Sequence, residues 1–358
     1  MTDYLEHVAT VPFRIARPAD LPTTIPDLAV VGGAAAARVS ELLLAPAARA
    51  GLPALCDAVR RAGDELGPVP STLVTDDPDE SRPNRDNDAA FGIERHSGDP
   101  AQLLRLALLH ALEEVLDLTA ASGTGLDEET WRELVDGFDV LLHWLAHPDR
   151  VLPADAAARV PAAPAQRVST PMEGLKRWVR GHHVFMPFSQ GCGLALASMS
   201  DAAQRGDEDA AVVGARVAIR TMRAARAALC FAGDATATQY QDEIRPTLMP
   251  PVAPPQMSGL RWRDHEYLVE RLTAAGPAWH WLAARGFEAL LRDFLAALDG
   301  AYEAHKEVCA HFVGTASPSL LATARSHRPA VGVIEQFRQI RRSAVSAPGE
   351  QPAAKEKP

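Results

Sequence analysis

The chain lacks the features that announce several large classes of protein. Its 358 residues include four cysteines, Cys56, Cys192, Cys230 and Cys309, far apart and with no CxxC pair, so no disulfide framework is expected and a cytoplasmic setting is the default. No apolar run approaches the roughly 20 residues of a membrane span. Met1 to Arg14 carries Asp3, Glu6 and Arg14 without an apolar core, so no secretory leader is expected. The 36 Lys and Arg are outnumbered by 46 Asp and Glu and are mixed among them, giving a formal charge of -10 and no basic stripe for nucleic acid. Gly-rich phosphate loops, internal repeats and runs alternating at period two are also missing, and β-branched residues are sparse.

What remains is helical pattern in quantity. An apolar content of 47% can bury a sizeable core. Residues 1 to 100 read as an irregular cap with short helices at Ala34 to Leu44 and Pro53 to Leu66, then a polar stretch, Asp76 to Asp99, expected as a solvated loop. From Ala101 a helix apolar on most sides begins, and Glu128 to Ala146 forms a second. After an Ala/Pro-rich linker, Pro153 to Pro164, a long helix follows Thr170-Pro171, with Pro187 expected to kink or break it. Glu208 to Phe231 and Arg263 to Leu272 are further helices, and Pro277 is expected to open the last, closed by Gly314. The division expected is a cap (1–100), an all-α domain (101–342) and a disordered tail (343–358). The apolar N-terminal helices leave a homodimer open.

The last helix carries the most informative pair. From Phe287 its apolar positions are Leu291, Phe294, Leu298 and Tyr302, followed on the same stripe by His305, Cys309 and Phe312, in steps of three or four. An i, i+4 pair shares a helix face, so His305 and Cys309 point the same way. Imidazole is a common axial ligand of haem iron, and a thiol one turn on can reach a vinyl group at the ring edge. The same pair also suits a core histidine beside a buried free cysteine. Zinc fits less well, because His311 is six residues after His305 and points elsewhere.

Three segments extend the case. Tyr240-Gln-Asp-Glu-Ile-Arg245-Pro246, Met257-Ser-Gly-Leu-Arg261-Trp-Arg263-Asp-His265 and His305-Lys-Glu-Val-Cys309, with its following Gly314-Thr, resemble in order and spacing motifs of the indoleamine and tryptophan 2,3-dioxygenase superfamily of helical haem enzymes. The resemblance covers roughly residues 170 to 330. Cys309 departs from the superfamily's apolar residue, and the resulting His-x-x-x-Cys resembles one group within it, the haem-dependent 3-methyl-L-tyrosine hydroxylases of saframycin-type antibiotic pathways.

That resemblance implies an all-α haem-binding domain of the dioxygenase type, with His305 as proximal iron ligand and Cys309 joined to the haem by a thioether. It further implies His265 on the distal side, ligating iron at rest and moving a proton during turnover. Hydrogen peroxide is the expected oxidant, O2 the alternative, and an aromatic amino acid the substrate, oxygenated beside its phenol to give a catechol. Arg245 would meet a haem propionate or cap a helix. His182 and His183, at most one of them in the site, are the competing distal candidates and would suit the wall of a substrate pocket with Phe185. Glu266 stands near the superfamily's carboxylate-binding arginine, leaving Arg261, Arg263 and Arg271 as substitutes. The other readings are an O2-dependent indole dioxygenase and a bis-histidine haem carrier without turnover.

Overall fold

A computed structural model describes residues 11–23, 33–78, 80–153, 159–164, 167–168, 170–250, 252–253, 259, 262–316 and 329–346. Strand β1 (Phe13–Ala16) is followed by helices α1 (Gly33–Leu44) and α2 (Leu52–Leu66), close to the positions expected. Strand β2 (Ser71–Leu73), helix α3 (Arg82–Ala90) and strand β3 (Ile93–Gly98) come next. Strand β3 is central, parallel to β1 with Phe13 opposite Ile93, and antiparallel to β2 with Leu73 opposite His96.

This small sheet corrects the reading of Asp76 to Asp99 as a solvated loop. Asn84, Asn87, Asp88, Arg95 and His96 are buried. Arg95 donates twice to Asp88 at 2.8 Å, so the charges are satisfied inside the protein rather than by water. Polarity was a poor guide to exposure where the polar groups pair with one another. Strands this short also leave too little alternation to show as a period-two run.

Helices α4 (Pro100–Ser122) and α5 (Glu128–Ala146) begin at Asp99 and Asp127, whose carboxylates accept from the Gln102 and Thr130 amides at 2.7 Å. Helix α6 (Glu173–Arg205) is central and passes through Pro187 without ending, contrary to expectation. It is walled by α4, α7 (Glu208–Ala232) and α8 (Arg263–Ala274), a packing that offsets the hydrogen bond proline removes. At Gly181 a Cβ would lie 2.4 Å from that of Ala232, so only glycine lets α6 and α7 cross this closely, next to His182.

Pro277 opens the short helix α9 (Gly276–Leu282) rather than the His305 helix. Gly286 takes φ 91°, and α10 (Glu288–Val313) starts just after it and ends at Gly314, φ 84°. Helix α11 (Ala330–Ser346) packs on α10 and takes in the start of the expected tail, whose remainder lies outside the described residues. One contiguous core includes Phe13, Phe91, Trp144, Phe188 and Phe294. None of the described helices is long and apolar enough to cross a membrane.

Candidate functional site

Helix α10 sets His305 and Cys309 one turn apart. Phe294 and Leu298 on the same stripe are buried, but His305 has the accessible area of a surface residue. Even so, burial alone pushes its imidazole pKa down. Burial likewise pushes the Cys309 thiol up, keeping it a neutral thiol. Cys309 is also close enough to Tyr240 to act on its phenol electrostatically. His311 turns away and pairs with the Ala235 carbonyl at 3.0 Å.

Helix α6 brings His182 towards His305. Its Nδ1 lies 2.7 Å from the Trp178 carbonyl, which can only accept, so Nδ1 carries the proton and Nε2 keeps the lone pair. Desolvation takes the His182 pKa down to about 4, opposed by the Trp178 bond and aided by the charges of His183 and His305, so the ring is neutral at physiological pH. That electrostatic coupling puts His182 in the same region as His305. Aromatic rings line it: Phe91 and Trp178 lie 4.4 and 4.5 Å from His182, Trp262 lies 5.6 Å away, and Phe312 stacks on Tyr240 at 4.4 Å. The indole Nε1 of Trp178 is buried without an acceptor among the described residues.

His265 is half-buried in the first turn of α8, whose start is fixed by a buried polar network. Arg95 Nη1 and Nη2 donate to Asp264 at 3.0 and 2.5 Å while the same guanidinium holds Asp88. Gln190 Nε2 donates to Asp264 at 2.7 Å, and Trp262 Nε1 to Asp88 at 2.8 Å. The two carboxylates hold Arg95 in its charged form against a burial that opposes it. Trp262 touches His182's aromatic neighbour Phe91 at 4.8 Å and stands one turn before His265.

Some expected site residues are placed elsewhere. His183 is fully buried and stacks on Phe13 at 4.4 Å. Its Nδ1 meets Glu114 at 2.8 Å and its Nε2 the Phe91 carbonyl at 2.7 Å, so both nitrogens are taken up by structural partners and not by a substrate. Arg263 is held by Asp77 and Glu80 at 3.0 and 2.8 Å and is no free carboxylate anchor. Arg261 lies outside the described residues, as does most of the Met257–Arg261 segment. Arg245 is exposed, donating to Gln241 at 2.8 Å. Phe185 is half-buried one turn after His182. The sequence reading passed over Trp262, Phe91 and the Arg95–Asp264 pair in describing the site; Trp178, one turn before His182, was its only available signal for the wall.

An imidazole with room before it, a neutral thiol one turn on, a second neutral imidazole and an indole N–H without an acceptor suit a planar iron porphyrin better than a bare metal ion, since no group of three ligating side chains gathers among the described residues. Comparison with known proteins agrees. The sequence pattern of a family described as SfmD 3-methyl-L-tyrosine peroxygenase matches residues 14–289. A 3-methyl-L-tyrosine peroxygenase of Streptomyces lavendulae is 49% identical over 354 residues, 99% of this chain and 95% of that protein. The crystal structure of SfmD reduced by soaking with sodium hydrosulfite superposes with a TM-score of 0.76 at 46% identity, covering 86% of this chain and 100% of the other.

Proposed function

Because the chain belongs to the SfmD 3-methyl-L-tyrosine peroxygenase family, we propose that it is a haem-dependent peroxygenase that converts 3-methyl-L-tyrosine, or a closely related tyrosine, to its catechol with hydrogen peroxide. The balance is one aromatic C–H and one peroxide giving one phenol and one water. The haem, when bound, supplies the oxidising power for that insertion. That a relative was crystallised after chemical reduction fits a redox-active group.

The chain's own residues have separable tasks. His305 holds the iron from α10. Cys309 would tether the haem through a thioether, its S–H adding across a vinyl double bond with no oxidant needed. His265 would serve as a second ligand for the iron and as a group that holds a proton, and His182 offers another basic atom at Nε2. Trp178, Phe91, Trp262 and Phe185 exclude water and accept an aromatic ring. The four free cysteines fit a cytoplasmic protein.

The observation that carries this reading is that His182, ringed by Phe91, Trp178 and Trp262, lies near enough to His305 to act on it electrostatically, with Cys309 one turn after His305. The dioxygenase and carrier readings gain no support from these relatives. Denaturing mass spectrometry of the wild type and Cys309→Ala tests the tether, and turnover of 3-methyl-L-tyrosine with peroxide tests the activity. A one-haem mass increase that vanishes in the variant is expected, with a product one oxygen heavier. Haem that dissociates from both proteins would sink the thioether, and absence of the catechol would sink the activity.

A further inference from the structure

The glycine that closes α7 answers to a neighbour and not to its own backbone. Gly233 has φ -84°, a conformation open to any residue. A Cβ there would lie 2.5 Å from Val308 Cγ2, closer than such atoms approach. Val308 is β-branched and stiff within its helix, so it cannot swing clear. It stands on α10 three residues after His305 and just before Cys309. One position earlier, the same end of α7 meets α6. A Cβ on Gly181 would lie 2.7 Å from the Ala232 Cα, and Gly181 precedes His182. Ala232 and Gly233 therefore separate the helix of His182 from the helix of His305 and Cys309, with no slack on either side.

This end of α7 is itself fixed. Asp234 accepts from the Thr124 hydroxyl and the Gly125 amide, each at 2.9 Å, and from Arg167 at 3.0 Å. Arg177, fully buried on α6 one turn before Gly181, pairs with Asp234 at 3.1 Å. Ala235 then reaches α10 again, its carbonyl accepting from His311 Nε2 at 3.0 Å. Val308 and His311 flank Cys309, so residues 233–235 hold that stretch of α10 from both sides of the thiol. We propose that residues 232–235 are the spacer that sets the separation of α6 and α10 at the haem site, with Gly233 and His311 as positioning residues for attachment of the haem at Cys309. The inference rests on the haem-dependent function and the tether proposed above.

The test compares the full-length, haem-loaded wild type with Gly233→Ala, with Gly233→Ala combined with Val308→Ala, with His311→Leu and with His311→Gln. Haem content, the fraction of bound haem that survives denaturing mass spectrometry and the thermal midpoint are measured for each. In Gly233→Ala the attached fraction should fall on the order of tenfold, the scale on which misplaced reacting groups lose rate. Trimming Val308 in the same chain should restore it. His311 is exposed, and His311→Leu adds no bulk at Gly233, so this variant decides the matter if Gly233→Ala fails to fold. It should also lower the attached fraction, whereas His311→Gln, which keeps a donor for the Ala235 carbonyl, recovers most of it. A wild-type attached fraction in folded Gly233→Ala or in His311→Leu, with only the midpoint lowered, overturns the spacer and leaves the peroxygenase reading intact. Haem that never attaches to the wild type removes the tether and this inference with it.

Discussion

What each ring nitrogen touches decides the charge of the buried histidines. His183 has an oxygen against both nitrogens, and the carboxyl of Glu114 beside it is kept below the usual range by that histidine although burial works the other way. His182 has one acceptor and is neutral. His143 resembles His182: it sits 3.2 Å from the Ser40 hydroxyl and 4.9 Å from the His147 ring, and desolvation with that neighbour takes its pKa down to about 4. The folded state therefore binds fewer protons than the unfolded chain between about pH 4 and the ordinary histidine value near 6.5. Stability from His143 is fully present above that window and is lost as pH falls through it. The denaturant midpoint should drop between pH 7 and pH 4.5, and drop less in His143→Asn; an equal drop in both proteins refutes the assignment. Fixed helix geometry made the His305–Cys309 juxtaposition legible from spacing alone. Spacing also limited the site to one of His182 and His183, but choosing between them required Phe13, Glu114 and Phe91, which no local pattern brings near.

At the scale of elements, α8 is located by charge and α6 by small residues. Arg95 reaches across from β3 to bind Asp264 and Asp88 together, so replacing it leaves two carboxylates buried side by side. Breaking a buried pair from one side costs about 3–5 kcal/mol. Arg95→Met should lose about that much stability by denaturant unfolding. Its surviving folded fraction should also show a changed haem spectrum, because the turn carrying His265 is no longer fixed. Asp264→Asn, which keeps an acceptor for Gln190 and Arg95, should lose less; equal losses would mean that the charge is incidental. The helices were legible because 3.6-residue periodicity is local: Glu128 to Ala146 was read to the residue. The misread elements depend on distant partners. Arg95 and Asp264 are 169 residues apart, and the tolerance of Pro187 depends on walls built by α4, α7 and α8.

At the scale of the whole molecule, residues before 100 belong to the same packed interior as the helices that carry the site. Phe13 stacks under His183, Phe91 supplies both a ring to His182 and a carbonyl to His183, and Arg95 anchors α8. Val39, Leu43, Leu55 and Val59 of α1 and α2 lie in the core shared with α4 and α5. Removing this segment uncovers His183 and Asp264 together, two polar groups whose partners lie partly within it. A chain beginning at Asp99 is therefore expected to lack a cooperative unfolding transition and to fail to retain haem, whereas the full chain unfolds in one transition that tryptophan fluorescence and the haem band report alike. A truncated chain that unfolds cooperatively and binds haem would show that the segment is a dispensable cover. Two separate transitions in the full chain would show that the shared core does not couple its parts.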